Sequence, residues 1–354
     1  MWFVQHKRKA TCRSWWYARW WSSRLWAHLG LLGLGCLLSV GAISAQEGAR
    51  RFMEDEEAQA RLQRGISLYQ QEQYATALET LEPVAVHYPE QAVAYRMIGL
   101  CRLQMKQYAA AAAALRKASE LTRAQENRED AVARLALGKA LFLAGDSRGA
   151  IPELEFAAAR PEADTATLTL LGYAHYRQGD EAAARKVLVQ SVARDDRQPE
   201  AWRLLAELDV ARLTANPDDP AAAKQAAASI EKVNRTEPSL AAGLRGRLLV
   251  AQRQFAKAIP ELDRALATQP DQAALVFALG LALSREKQLD RAAVLLTKAT
   301  ELLPDEAGVW RELGYVHERA GRREAAIAAY EKAAALTQGH DDFITRALER
   351  LKSS

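Results

Sequence analysis

From residue 58 onward, small and large apolar residues recur on a fixed lattice. Gly65, Gly99, Gly138, Gly172, Gly246, Gly280 and Gly314 mark it, with Ala206 in the remaining slot, at spacings of 34, 39, 34, 34, 40, 34 and 34. Twelve residues after most of these comes an alanine, as at Ala77, Ala111 and Ala184. Four further on stands a large apolar residue: Leu81, Leu115, Leu154, Leu188, Leu262, Leu296 or Tyr330. Apolar residues at this spacing predict amphipathic helices, two per unit, with a turn between them that often carries glycine (Gly145, Gly179, Gly321). Small residues at fixed points let the paired helices approach closely, and the large residues fill the space beside them. Proline closes several units, at Pro89, Pro270 and Pro304. No single pair can bury its apolar face alone, so the units must stack. The pattern therefore predicts an all-α solenoid of about eight helix-turn-helix repeats over residues 58–337. A tail at 338–354 follows, whose amphipathic stretch Asp341–Lys352 caps the last apolar face.

Two units depart from the lattice. The second carries about five extra residues around Ala124–Asp130. The fifth has a longer middle, Leu213–Ala221, whose Pro217 and Pro220 forbid continuous helix. Its first helix is expected to end near Leu213 and its second to run about Ala221–Val233, leaving a loop that is either a joint in the superhelix or a tolerated surface insertion.

These residues resemble the tetratricopeptide repeat. Tryptophan stands at the fourth position in Trp202-Arg-Leu-Leu205-Ala206 and Trp310-Arg-Glu-Leu313-Gly314. The Leu-Gly pair is followed three residues on by His175 and His317, where the family prefers an aromatic. The resemblance spans roughly residues 58–337 and implies a right-handed α-solenoid whose first helices line a concave groove. By register, the fifth groove position falls on Arg96, Arg203, Phe277 and Arg311, and the ninth on Lys139, Tyr173, Glu207, Arg247 and Tyr315. The twelfth falls on Tyr69, Phe142, Tyr176 and Glu318. Arginines among aromatics suit a protein or peptide ligand, through bidentate carboxylate pairing and rigid contact area. Chaperone-binding members clamp a terminal carboxylate with asparagine at the ninth position. No unit here has it, so that activity is not implied.

The first 45 residues read differently. A basic stretch to Arg24, the uncharged run Leu29–Ile43 and the small residues Ser44 and Ala45 are ordered like a secretory signal peptide. Cleavage is expected after Ala45, with 46–57 as a linker. An uncleaved anchor is the alternative, because Leu25–Ala45 is 21 residues without formal charge. A lipoprotein site at Cys36 is disfavoured by Gly33 and by the apolar sequence that follows the cysteine. Either leading version places the array outside the cytoplasm of a bacterium, in the periplasm or anchored to the outer surface of the membrane.

Charge changes the picture only at this end. The formal net charge is +4, but the leader holds six basic residues and no acid. The remaining 42 basic and 44 acidic residues nearly cancel, so no nucleic-acid footprint is expected. Membrane contact is expected only through the leader. Chemistry is sparse: no His-Glu-x-x-His, Cys-x-x-Cys, Gly-x-Ser-x-Gly or phosphate-cradling glycine loop occurs. Cys101 reads as a small core residue, His175 and His317 as packing residues, and the Asp195–Asp196, Asp218–Asp219 and Asp341–Asp342 pairs as caps and turns. Neither metal nor cofactor nor catalysis is expected. The reading that follows is a non-catalytic scaffold of the bacterial cell envelope holding a protein or peptide in its groove. The alternative is a docking subunit of a cell-wall or polysaccharide synthesis or export machine.

Overall fold

The lattice resolves into paired helices in a computed structural model, which describes residues 47–353 apart from 49 and 162. The leader, and with it export and anchoring, lies outside the described residues. Eight pairs follow in order: α1 (Glu56–Gln70) with α2 (Tyr74–His87), α3 (Ala92–Gln104) with α4 (Tyr108–Glu126), and α5 (Ala131–Leu143) with α6 (Ser147–Ala158). Next come α7 (Thr165–Arg177) with α8 (Glu181–Arg194), α9 (Pro199–Ala215) with α10 (Pro220–Asn234), and α11 (Pro238–Ala251) with α12 (Phe255–Leu266). The last are α13 (Ala273–Arg285) with α14 (Leu289–Leu302) and α15 (Ala307–Arg319) with α16 (Arg323–Leu336), capped by α17 (Asp342–Ser353). The described residues thus form the all-α solenoid expected, with eight units and a terminal cap.

The lattice glycines have one physical reason. A Cβ built on Gly65, Gly99, Gly138, Gly172, Gly246, Gly280 or Gly314 would lie 2.5–2.9 Å from the large residue sixteen positions on. Those seven partners, from Leu81 to Tyr330, have no solvent exposure. Each leucine so buried stabilises its unit by about 2 kcal/mol. In the fifth unit Ala206 and Ile230 share the corresponding buried cluster.

A second constant sits seven residues past each lattice glycine, where the chain turns from first helix to second through left-handed backbone. Gly145, Gly179 and Gly321 occupy it with φ of 93°, 79° and 72°. Glu72, Lys106, Arg253 and Lys287 hold the same conformation with φ of 58–63°. The fifth unit has no such residue. There Leu213 is helical and fully buried, and α9 runs 17 residues, a turn longer than its 13-residue counterparts. The expected long loop is therefore only 216–219. Arg212 Nη2 donates to Asp219 Oδ2 at 2.9 Å, and Asp219 Oδ1 caps α10 through the amides of Ala221 and Ala222. The insertion is clamped, because extending a helix satisfies backbone groups that a loop would leave to water. The second unit's extra residues likewise lengthen a helix, α4, to 19 residues ending at Asn127 in left-handed geometry.

The stretch expected as a linker also packs. Residues 50–54 are helical, and Phe52, 6% exposed, meets Tyr88 edge-on with ring centroids 5.2 Å apart. The Tyr88 hydroxyl donates to Asp55, the N-cap of α1, so this segment covers the first unit as α17 covers the last.

First helices touch the first helices of neighbouring units, most extensively along α9, α11 and α13. Second helices make no comparable contact with one another among the described residues. Elements that approach more closely lie on the inner radius of a curved stack, so the first helices form the concave face. Between α8 and α10 the joint is polar: Arg185 donates to Asp209, 1% exposed, at 2.6 Å, and Ser229 donates to its other oxygen at 2.7 Å.

Candidate functional site

The thirteen groove residues expected from register all lie on first helices, but they do not form one surface. At the ends of the array their polar groups are engaged within the chain. Arg96 Nη1 donates to Asp130 at 3.0 Å, and Asp130, 3% exposed, also caps α5 by accepting from Ala133 N. Arg311 pairs in the same way with Asp341, which caps α17. Glu318 accepts from the Tyr330 hydroxyl at 2.9 Å and from Arg350, tying the cap to the last unit. Burial, and then that bond, push the Tyr330 phenol well above its ordinary pKa.

The apolar members are partly consumed as well. Phe142 is 8% exposed, and the Arg177 guanidinium stacks over its ring at 4.3 Å, so Arg177 presents the surface that register assigns to Phe142. Tyr69 leans on Tyr74 with centroids 5.5 Å apart. Phe277 packs against two buried clusters. Tyr315 lies under Arg285, whose guanidinium is 5.3 Å from its ring and makes a two-point bond to Glu312 at 2.6 and 3.0 Å.

The centre differs. Tyr173 donates its hydroxyl proton to the Glu200 carbonyl at 3.2 Å and accepts from Arg203 Nη2 at 3.0 Å. Arg203 makes no ion pair with Glu207, one helical turn further along α9, although the two attract one another. Tyr176 stands beyond, 40% exposed. Glu207 on α9 and Arg247 on α11 are half-buried and attract one another, yet among the described residues neither is in an ion pair or a side-chain hydrogen bond. Burial raises the Glu207 carboxyl above the usual range against the pull of Arg203 and Arg247. Burial lowers Arg247 from its usual value, although a guanidinium remains a cation. Lys139, on α5, is half-buried with its charge felt at Asp164, the N-cap of α7. The structure thus brings together Tyr173, Tyr176, Arg203, Glu207 and Arg247 as groove groups whose polar atoms are not spent on carboxylate pairs.

Register alone overlooked one residue here. The fifth position of the sixth unit is Gly243, found by counting three back from Gly246, and a residue without a side chain is easily passed over as a groove element. Gly243, Glu207 and Arg247 border a cavity of about 100 Å³.

The residues set aside for chemistry behave as packing and capping groups. Cys101 is fully buried, and burial pushes its thiol up to about 11. Asp195 accepts from the Arg197 amide and from Gln198, and Asp196 accepts from Lys232. His175 lies 3.8 Å from Glu155, and His317 Nδ1 is buried without a hydrogen-bond partner. Among the described residues no group of three or more His, Cys, Asp or Glu could hold a metal ion, and no helix is long and apolar enough to cross a membrane.

No curated protein matches the chain. Among solved structures it is similar to a tetratricopeptide repeat protein from Parabacteroides merdae ATCC 43184, with 12% identity over 74% of this chain and 99% of that one, at a TM-score of 0.45. It is similar also to YrrB, a tetratricopeptide repeat protein with an unusual peptide-binding site, with 21% identity over 56% of this chain and 97% of that one and a TM-score of 0.41. A third is MamA from Desulfovibrio magneticus RS-1, with 22% identity over 50% and 97% and a TM-score of 0.40. One tetratricopeptide repeat model matches residues 62–126, 244–307 and 288–341, and a second matches 141–208. With these matches lying on the helix pairs described above, the chain belongs to the tetratricopeptide repeat family.

Proposed function

We propose that this protein is a non-catalytic scaffold of the bacterial cell envelope that holds a protein or peptide segment across units four to six of its concave groove. Arrays of this family bind protein partners. The observation that carries the choice of place is the contrast along the groove. Arg96, Arg311 and Glu318 are held by charged partners of the same chain, whereas Arg203, Glu207 and Arg247 sit half-buried without ion-pair partners beside Tyr173 and exposed Tyr176. Partly desolvated charges beside rigid aromatics make strong anchors for a partner that satisfies them. The order of charge and apolarity in residues 1–45 supports export.

Affinity capture from envelope extracts tests the groove, comparing wild type with the Tyr173→Ala/Arg203→Ala/Arg247→Ala triple variant. Loss of the captured partners supports it, and an unchanged set of partners removes it. Glycan-array binding tests docking to a polysaccharide machine, which requires a groove that takes saccharide. N-terminal sequencing of the mature protein tests export: a start at Gln46 is expected, and a start at Met1 eliminates the cleaved form.

A further inference from the structure

The fifth position of the first helix presents Arg96, Arg203, Phe277 and Arg311 in four other units, and in the sixth it is Gly243. A Cβ at Gly243 would meet the Leu275 side chain at 3.0 Å, so glycine lets α13 close on α11, and beside it lies the cavity of about 100 Å³ between α9, α11 and α13, where first helices approach one another most extensively. Leu240, Leu244 and Leu275 give it apolar walls. Glu207 from α9 and Arg247 from α11 border it, and Gln272, the N-cap residue of α13, adds an amide. Glu207 would ordinarily be neutralised from its own helix by Arg203 four residues earlier, but that guanidinium is held at the Tyr173 hydroxyl. No ion pair between Glu207 and Arg247 closes the cavity either.

We propose that this cavity is a side-chain pocket selecting an uncharged carboxamide, the end of an Asn or Gln side chain on a peptide bound in the groove. The inference rests on the groove-binding reading and adds to it the chemistry of one anchor. Its grounds are size and charge. A space of this volume is roomy enough to admit the three heavy atoms of a carboxamide. Its leucines suit the methylene stem. Its two charged walls sum to zero, so a carboxylate that gains Arg247 meets Glu207, and an ammonium that gains Glu207 meets Arg247. A carboxamide donates N–H to Glu207 and accepts from Arg247 at once, leaving neither unpaired. Burial raises the Glu207 carboxyl even against the pull of Arg203 and Arg247, as expected of a carboxylate in a partly desolvated wall without a hydrogen-bond donor.

Panning a random heptapeptide library on the full-length chain tests this. Asn or Gln is expected at one position with about tenfold enrichment over Asp, Glu, Lys and Arg, a discrimination within what one hydrogen bond to a charged group supplies. Glu207→Gln, which leaves the walls net cationic, is expected to move that preference to Asp and Glu. Arg247→Gln is expected to move it to Lys and Arg, and Arg247→Lys to retain the carboxamide preference. Selected peptides without a carboxamide preference, or a preference unmoved by the two charge-removing variants, overturn the pocket and leave groove binding standing. A library that yields no binding peptide overturns both.

Discussion

Arg203 donates to the hydroxyl of Tyr173 at 3.0 Å across the boundary between the fourth and fifth units, and not to Glu207 on its own helix. An i, i+4 pair on a helix is worth only about 0.3–0.5 kcal/mol, so a well-placed neutral acceptor on the next helix suffices to redirect the guanidinium. The consequence is that the groove centre keeps a carboxylate open.

Removing that hydroxyl reverses the arrangement. Tyr173→Phe frees Arg203 to approach Glu207, and a closer cation favours the ionised carboxylate. The Glu207 carboxyl, raised in the native chain, is expected to titrate at lower pH in the variant, as read by carboxyl carbon NMR. An unchanged titration shows that Tyr173 does not control Arg203.

Glu207 itself carries a pH-dependent cost. Its folded-state pKa lies above the ordinary value of 4.5, so the folded protein holds this proton more tightly than the unfolded chain. Its contribution to stability is full below 4.5 and is lost as pH rises through the folded pKa. Glu207→Gln removes the ionised group and is expected to raise the melting temperature at pH 7 while changing it little at pH 4. Equal shifts at both pH values refute the assignment.

Asp130 joins two tasks that register treats separately, capping α5 and holding Arg96 of the preceding unit. Loss of a cap costs about 1 kcal/mol, and an unpaired partly buried guanidinium adds a similar amount. Asp130→Ala is therefore expected to destabilise the array by about 2 kcal/mol in urea titration. Asp341→Ala, whose partner Arg311 has a side chain 49% exposed, is expected to cost about half as much.

The turns offer a stabilising change. Lys287 holds left-handed backbone with φ of 63°, in the position that Gly145, Gly179 and Gly321 fill elsewhere. A residue with a Cβ pays about 1 kcal/mol for that conformation, offset in part by the unfolded-state freedom that glycine adds. Lys287→Gly is expected to stabilise by about 0.5 kcal/mol, and Gly321→Ala to destabilise by about 1 kcal/mol, both measured by thermal melting. A destabilised Lys287→Gly variant contradicts the strain.

The eight units, their paired helices and the terminal cap were legible in the chain because they rest on local periodicity and on close helix approach. Gly172 and Leu188 face each other whatever partner the groove meets, since a side chain at 172 would collide with Leu188 2.7 Å away. The same logic made the capping role of Asp219 and Asp341 readable. Tertiary structure alone decided how the exceptions and the groove resolve. Whether the fifth unit's insertion forms a loop or another helical turn depended on Leu213 being buried and on the Arg212–Asp219 clamp, neither of which periodicity encodes. Register placed Arg96, Arg203, Arg247 and Arg311 on one face, but not what each guanidinium binds. A long side chain chooses among acceptors on neighbouring units, and only the stacking of those units brings Asp130, the Tyr173 hydroxyl and Asp341 within reach while leaving Arg247 without an ion-pair partner.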